Sequence, residues 1–300
     1  MNFVPPQPDL IRAALPNIES VSQALHQGGF KAVYRVAIGG KTEALKLAYI
    51  PKFQQTAEGE ALRKEMFGRI RREVEALSKC HCKEIVKLAN LAATNISIGG
   101  EDFVAYTEEW IEGSNLSTVL NAKGAKPSEQ DLRTLFVSLL TAIKEMWGYG
   151  YIHRDINPRN VMKTTSAGRP FVLLDLGIAF SIRETALTSN PAEKWCSYRY
   201  FAPEMIHPQF RETIDYRSDL YTSALTVFEY AAQEHPLARD KEDELRTVFR
   251  AVQQIPKPLK HFRPDLSDFL CQTVDQMLKK NPALRPANLS LLITQLQNQP

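Results

Sequence analysis

Three polar residues in the middle of this 300-residue chain have the types and order that metal-assisted chemistry on phosphates requires. Asn160 follows Asp155 by five residues, and Asp175 ends a predicted hydrophobic strand over residues 171–174. Such chemistry needs a carboxylate that takes a proton from a hydroxyl group and two oxygen ligands that hold Mg²⁺ against the phosphates. The three residues supply that set, although polar turns can also bring such residues together by chance.

The motifs around these residues resemble those of the eukaryotic-type (Hanks-type) serine/threonine protein kinases. Residues 153–160, HRDINPRN, are similar to the family's H-R-D-x-x-x-x-N, and residues 175–177, DLG, are similar to its D-F-G. The resemblance implies that Asp155 is the catalytic base and that Asn160 and Asp175 hold Mg²⁺. Two motifs in the family's order favour this interpretation over a chance grouping.

A glycine-containing turn near the N-terminus stands in the place of the kinase glycine-rich loop. In residues 26–36, HQGGFKAVYRV, Gly28 matches a motif glycine, whereas His26 and Lys31 occupy the places of the first and third. An ordinary hairpin is the alternative interpretation. The resemblance implies that the following residues contact the nucleotide: Gly28, Gly29, Phe30, Val33, Ala44, Lys46, Glu109, Ile111 and Met162.

Lys46, in the stretch EALK, resembles the family lysine of V-A-I-K. By itself it could be a solvated strand lysine, but the family pairs it with a glutamate on the next helix. Apolar residues at helical spacing predict that helix over residues 57–79. Glu73 matches the family glutamate at the edge of the apolar stripe, and Glu75 on another face is interpreted as a surface carboxylate. The resemblance implies that Lys46 and Glu73 position the phosphates.

The segment after the predicted strands resembles the inter-lobe hinge. We predict strands near residues 86–92 and 96–110, and then EWIEG, residues 109–113, where backbone groups would bind adenine. In this alignment Glu108 takes the gatekeeper place, where the family usually has an apolar or small residue. A buried carboxylate needs a partner or a shifted pKa, so either Glu108 is paired or the alignment is displaced by one residue.

Distant motifs agree with the same family. Residues 202–204 read A-P-E, and Arg285 matches the arginine that pairs with Glu204. Asp219 matches an aspartate that supports the catalytic loop, and it also suits the start of a helix. Ser128 is predicted to cap a helix that ends near Gly148.

The main departure from the family lies two residues after the base. Serine/threonine kinases usually have a lysine there, whereas this chain has Asn157, which can donate a hydrogen bond but carries no charge. The resemblance implies a catalytic role for Asn157 at this position. Arg159 or Lys31 could substitute for that charge. Ser197 matches the hydroxyl residue set against the base, which favours serine or threonine acceptors over tyrosine. Glu193 stands near the usual activation-loop phosphosite, and we interpret it as a fixed negative charge.

The resemblance implies an α+β, bilobal kinase-like fold, with a small β-rich N-lobe that carries one long helix and a larger, mostly helical C-lobe. Residues 1–20 contain four prolines, which discourage regular structure. We predict that they form an N-terminal extension, either packed on the first lobe or present as a mobile tail. The kinase domain is predicted over residues 21–300, with the N-lobe at 21–108, the hinge at 109–113 and the C-lobe at 114–300.

Composition restricts the partners and the location. A net charge of +3 is too small to favour nucleic acid, and neither a leader nor a long apolar run is present, so we expect no membrane insertion. Four cysteines without clustered ligands predict reduced thiols in a cytoplasmic protein. The resemblance implies a protein substrate, ATP and Mg²⁺, with Mn²⁺ as an alternative ion.

Three functions remain open from the sequence. The first is an active serine/threonine kinase that also phosphorylates itself, and the second is a pseudokinase that binds nucleotide as a scaffold. The altered glycine loop, Glu108 and Asn157 favour the second. The third is a small-molecule kinase, against which Glu204 and Arg285 count because such enzymes generally lack that pair.

Overall fold

The computed structural model describes residues 3–27, 30–52, 56–176, 180–181, 198–207, 214–239 and 242–298. The chain forms two compact units. Residues 1–81 and 86–111 make the sheet unit, and residues 82–85 and 112–300 make the helical unit.

The sheet unit is built on five antiparallel strands in the order β1-β2-β3-β5-β4. These strands are β1 (Ser20–Gln27), β2 (Lys31–Ile38), β3 (Lys41–Ile50), β4 (Thr94–Ile98) and β5 (Glu101–Glu109). Gly39 and Gly40 make the tight β2-β3 turn with φ of +56° and +71°, values that glycine adopts without steric cost. Gly99 and Gly100 make the turn between β4 and β5, with φ of +61° and +80°.

One face of this sheet packs on the N-terminal segment, which is the first of the two alternatives given for residues 1–20. Helix α1 (Pro8–Ala14) begins with Pro8, because a proline is tolerated in the first turn, where its missing N–H has no helical partner. Ile11, Leu15 and Ile18 are buried in a cluster with sheet residues such as Tyr34. The prediction of little regular structure over residues 1–20 was therefore wrong.

Helix α2 (Ala57–Lys79) has the predicted bounds. Its first turn is capped by Thr56, whose Oγ1 accepts a hydrogen bond from the Gly59 amide at 3.1 Å. Its buried residues include Ile70, Glu73 and Leu77.

The predicted strand over residues 86–92 was wrong. This segment makes a single bridge, between Leu88 and Glu108, with backbone hydrogen bonds from Ala89 to Thr107 and from Glu109 to Lys87 on either side. The fourth regular strand of the sheet is β4, farther along the chain.

The helical unit has a long helix, α5 (Arg217–Ala232), at its centre, with nearly all of its residues buried. Around it are α3 (Leu116–Asn121), α4 (Glu129–Gly148), α6 (Glu244–Gln253), α7 (Leu259–Phe262), α8 (Asp268–Met277) and α9 (Leu289–Asn298). Ser128 caps α4 as predicted, with its Oγ accepting a hydrogen bond from the Asp131 amide at 3.1 Å. In the described parts of the chain, the helices are too short or too polar to cross a membrane.

Two small sheets hold the loop that carries Asp155. One pairs β7 (Tyr151–Ile152) with β10 (Phe180–Ser181), and the other has the order β6 (Gly113–Asn115), β8 (Val161–Thr164), β9 (Phe171–Leu173). Gly113 lies so close to β8 that a Cβ atom there would be 2.2 Å from the Lys163 carbonyl oxygen. The loop over residues 153–160 therefore joins β7 to β8, and each of these two strands is paired within a sheet.

Candidate active site

Asp155 and Asn160 are brought into contact within the loop between β7 and β8. The Asn160 Nδ2 atom donates to the Asp155 carbonyl oxygen at 2.9 Å and to its Oδ2 atom at 3.0 Å. The Leu174 amide donates to the Asn160 carbonyl at 2.7 Å, which ties the end of β9 to the same loop. Because Asp175 follows Leu174 directly, all three predicted residues lie on two joined segments of one unit.

Asp219 on α5 supports the backbone of this loop. It is buried, and its two carboxylate oxygens accept hydrogen bonds from the amides of His153 and Arg154, each at 2.8 Å. Burial raises the pKa of Asp219 to about 7, while the two amide bonds oppose that rise. The expectation that Asp219 supports the catalytic loop is confirmed.

His153 links the two segments through its ring. Its Nε2 atom lies 3.1 Å from the Leu174 carbonyl oxygen, and its Nδ1 atom is 3.2 Å from the Asp155 amide nitrogen, which donates to it. Burial lowers the pKa of His153 to about 4, so the ring is neutral near pH 7 with its proton on Nε2. A neutral ring in this tautomer satisfies both contacts.

Asp175 has a left-handed backbone conformation, with φ of +55°. A non-glycine residue there stores roughly 1–3 kcal/mol of strain, which is typical of functional sites. Leu176, the next residue, is buried. The strain shows that the surrounding fold holds this carboxylate's backbone in place.

Asn157 is buried and its amide group is used within the loop. Nδ2 donates to the Asp155 carbonyl oxygen at 3.0 Å, and Oδ1 accepts from the Arg159 amide at 2.9 Å. Its catalytic role stays a prediction, but the geometry favours a brace for the backbone of Asp155 over a replacement for a positive charge.

In the sheet unit, Lys46 and Glu73 lie close together, but each has a nearer partner. The Lys46 Nζ atom is 3.7 Å from Glu73 Oε1 and 2.8 Å from Glu108 Oε1. Lys31 Nζ lies 2.8 Å from both oxygens of Glu73. Glu108 is thus buried and paired, the first of the two alternatives that the sequence left open. Glu75 is partly exposed and pairs with Lys79 on the same helix, as expected of a surface carboxylate.

The predicted nucleotide contacts fall in both units. Val33 is the cross-strand partner of Lys46, and Ala44 is the partner of Glu108, so these four side chains share one face of the sheet. Phe30 and Ile111 also belong to the sheet unit, and Met162 lies on β8 of the helical unit. The Oε1 atom of Glu109 accepts from the Lys87 amide at 2.8 Å. The nucleotide-binding roles of these residues stay predictions.

Glu204 and Arg285 form a bidentate ion pair in the helical unit. The Nη1–Oε1 distance is 2.7 Å and the Nη2–Oε2 distance is 2.9 Å. The Arg285 side chain is fully buried and also donates to the carbonyl oxygens of Lys279, Arg217 and Lys280. The predicted pairing of these two distant residues is confirmed.

The family is decided by a match over nearly the whole chain. The protein kinase domain family matches residues 20–300, which include the Asp155 loop, Lys46 and the Glu204–Arg285 pair. The chain belongs to the protein kinase family. Kinases of this family use ATP and Mg²⁺ and act on proteins.

Curated relatives carry kinase names. A probable serine/threonine-protein kinase of Clostridium perfringens is 25% identical over 220 residues, 72% of this chain and 31% of that protein. The serine/threonine-protein kinase pkn3 of Myxococcus xanthus is 27% identical over 236 residues, 77% and 41% respectively. The dual specificity mitogen-activated protein kinase kinase mek-1 of Caenorhabditis elegans is 29% identical over 166 residues, 55% and 45%. The kinase chain thus spans less than half the length of these relatives.

Solved structures agree in fold. The crystal structure of a mutant PknI kinase domain from Mycobacterium tuberculosis superposes with a TM-score of 0.62 at 21% identity, and each chain is covered to 94%. A double mutant of the same domain gives 0.64. The predicted α+β kinase fold, with a β-rich N-lobe and a mostly helical C-lobe, is confirmed.

Several predicted residues lie outside the described parts of the kinase. They are Gly28, Gly29, Gly177, Glu193 and Ser197. Their roles stay predictions.

The sequence allowed for a paired Glu108 but did not indicate its partner, and it did not predict the ion pair of Lys31 with Glu73. Lys31 was considered only as a replacement for a glycine or for a missing charge. A signal was present, because alternation along β2 and β3 places Lys31 on the same face as Lys46. The partner of Glu108 could not be read from spacing, since it depends on the register of β3 with β5.

Proposed function

We propose that this protein kinase transfers the γ-phosphate of ATP to serine or threonine hydroxyls of a protein substrate, including its own chain. The observation that carries the proposal is the hydrogen-bonded contact of Asp155 with Asn160, in a loop that Asp219 and His153 support. Positioning of this kind supplies most of the rate in phosphoryl transfer.

Asp155 is the proposed base. Its carboxylate takes the proton of the acceptor hydroxyl as that oxygen bonds to the γ-phosphorus and the bond to the leaving ADP breaks. The Asn160 bond to Oδ2 holds the carboxylate in one orientation, and Asn157 braces the Asp155 carbonyl from the same loop. Lys46, oriented within the sheet unit, is proposed to bind the phosphates.

The donor chemistry of Asn160 and Asp175 fits Mg²⁺, which prefers carboxylate and amide oxygens. Both hydrogen bonds of the Asn160 side chain come from Nδ2, which leaves Oδ1, its one oxygen, outside these contacts. A bound Mg²⁺ would neutralise charge on the β- and γ-phosphates. We propose that these two residues hold it, and that Mn²⁺ can replace it.

Support for serine and threonine acceptors comes from the names of the bacterial relatives and from the Ser197 match. We propose that the kinase domain spans residues 21–300. The nucleotide is proposed to bind the residues that the sequence analysis names for it, and the protein is proposed to be cytoplasmic.

The test is incorporation of label from γ-labelled ATP with Mg²⁺, into the kinase itself and into a generic basic protein. Asp155→Asn should lose about 10²–10⁴-fold of the rate, the usual contribution of a general base. Asp268→Asn, at an exposed α8 carboxylate, is the matched control and should keep full activity.

The outcomes separate the three functions. Label on serine or threonine that disappears in Asp155→Asn supports the proposal. Wild-type protein that incorporates no label, while ATP still raises its melting temperature, indicates a pseudokinase. Label that reaches only small hydroxyl compounds indicates a small-molecule kinase.

A further inference from the structure

One face of the five-stranded sheet carries a row of charged side chains. Lys31 comes from β2, Lys46 from β3 and Glu108 from β5, and Glu73 reaches them from α2. Lys31 pairs in register with Ala48, two residues from Lys46, so both lysines point to the same side. We call these four residues the charge row. All four belong to the sheet unit.

The signs alternate along the charge row, but the three contacts are unequal. Lys31 donates to both oxygens of Glu73 at 2.8 Å, and Lys46 lies 2.8 Å from Glu108 Oε1. The central contact, from Lys46 to Glu73, is 3.7 Å. The close contacts are therefore at the two ends of the row.

Burial makes the four charges depend on one another. The side chains of Glu73, Glu108 and Lys46 are 1%, 3% and 6% exposed, and Lys31 is 21% exposed. Two cations and two anions compensate in sum. Removing one member takes away the closest opposite charge of a buried neighbour in the row, and this is costly in a protein interior.

We propose that Glu108 is the positioning residue for Lys46, and that Lys31 is the positioning residue for Glu73. This inference rests on the proposed kinase function, in which Lys46 binds the nucleotide phosphates. In the family the lysine and the helix glutamate orient each other directly. Here the sheet orients Lys46 through β5, and a second lysine on β2 holds the helix glutamate.

The pairing is tested first by double-mutant cycles on the free energy of unfolding, without nucleotide. The cycles combine Lys46→Met with Glu108→Gln, Lys31→Met with Glu73→Gln, and Lys46→Met with Glu73→Gln. The first two couplings should exceed the third, because coupling follows direct contact. As a control, Glu43→Gln should not couple to Lys46→Met. Glu43 lies on the opposite face of β3 and accepts from the Asn90 amide at 3.2 Å. A largest coupling between Lys46 and Glu73 would overturn the inference.

The second test separates positioning from a purely structural role. In Glu108→Ala, kcat/KM for ATP should fall at least about tenfold, because a shift near 1 Å can cost up to about 100-fold. The KM of the acceptor peptide should not change. Glu108→Gln should lose less, since it keeps an acceptor oxygen for Lys46. Lys31→Met should resemble Glu108→Ala, and Lys31→Arg should restore most of the activity.

The controls distinguish this inference from the proposed function. Glu108→Ala with a kcat/KM within twofold of an active wild type refutes the positioning role alone. An inactive wild type refutes the proposed function and any catalytic use of the charge row, and the unfolding cycles still decide which residues pair.

Discussion

At the scale of single residues, Asn157 shows how a side chain near a catalytic base can act on the backbone. Its amide joins the Asp155 carbonyl to the Arg159 amide. A lysine, which the family usually has here, could donate but could not accept the second bond. In this chain, Asn157 therefore provides two hydrogen bonds within the loop where a lysine would provide a positive charge.

Asn157→Ala should destabilise the protein by roughly 2 kcal/mol, about 1 kcal/mol for each lost hydrogen bond. Activity should fall as well, because the Asp155 backbone loses its brace. Chemical unfolding measures the first effect and phosphate incorporation the second. Asn95→Ala, at an exposed position, should stay within about 0.5 kcal/mol. An Asn157→Lys variant with higher activity and undiminished stability would show that charge matters more than the bridge.

The protonation of His235 should make the free energy of unfolding depend on pH. Its buried Nδ1 atom accepts hydrogen bonds from the amides of Leu237 and Ala238, at 3.1 and 2.7 Å. Burial lowers the pKa of His235 to about 3. The unfolded chain takes up the proton near pH 6.5 and the folded chain does not, so this stability is lost as the pH falls below 6.5.

The expected result is a pH-dependent difference between wild type and His235→Asn. Between pH 7 and pH 5 the wild type should lose roughly 2 kcal/mol relative to the variant. Urea unfolding at several pH values measures it, and other titrating groups cancel in the difference. Parallel curves for the two proteins would contradict the shift.

Some residues of the candidate site could be predicted from short sequence motifs, and others could not. Asp155, Asn160 and Asp175 could be found from the sequence because their motifs have fixed spacing within one loop and one strand end. The Glu204–Arg285 pair could be found because each residue stands in a recognisable short motif. Lys31 and Glu108 stand in no such motif: strand alternation indicated only the face on which Lys31 lies, and the partners of both residues depend on strand register and on the face that α2 presents.

At the scale of elements, Arg285 joins three parts of the helical unit. It follows the 3₁₀ helix Pro282–Leu284, forms the ion pair with Glu204 and bonds to the Arg217 carbonyl at the start of α5. A guanidinium group has five donors in a planar fork, and a lysine cannot reproduce that geometry.

Arg285→Met should cost about 3–5 kcal/mol of folding free energy, because it leaves the Glu204 carboxylate without its buried partner. The exposed pair of Lys52 and Glu101 is the comparison, and Lys52→Ala should cost at most about 1 kcal/mol. Denaturant midpoints with unchanged slopes provide the measurement. Equal costs for the two variants would mean that the buried pair adds little.

Helix α1 contains two neighbouring apolar residues that differ in burial. Ile11 is completely buried against the sheet, whereas Leu10 is 49% exposed. Ile11→Ala should cost about 2–5 kcal/mol through lost burial and the cavity left behind. Leu10→Ala should change stability by less than about 0.5 kcal/mol. If the two variants unfold at the same denaturant concentration, α1 does not contribute to the sheet core.

At the scale of the whole molecule, the resemblance to the kinase family implied a β-rich lobe with one long helix, followed by a mostly helical lobe. The long helix could also be predicted from the sequence itself, because the apolar stripe over residues 57–79 is a strong local signal. The segment over residues 86–92 was misassigned because it is apolar enough for a strand, yet it makes only one bridge to β5. The helix Pro8–Ala14 was missed because prolines mark irregular chain but do not exclude a helix that begins with one.

The N-terminal segment with α1 covers apolar residues of the sheet, and this affects the solubility of the protein. The family match begins at residue 20, so a protein shortened to that boundary would lack Phe3, Ile11, Leu15 and Ile18. Its outer sheet face would then present a continuous apolar surface to water, of the kind that drives self-association. We expect such a protein to aggregate during expression, while the chain that keeps residues 1–19 stays monodisperse in sedimentation. For this kinase we therefore expect the residues ahead of the recognised family region to determine whether soluble protein is obtained.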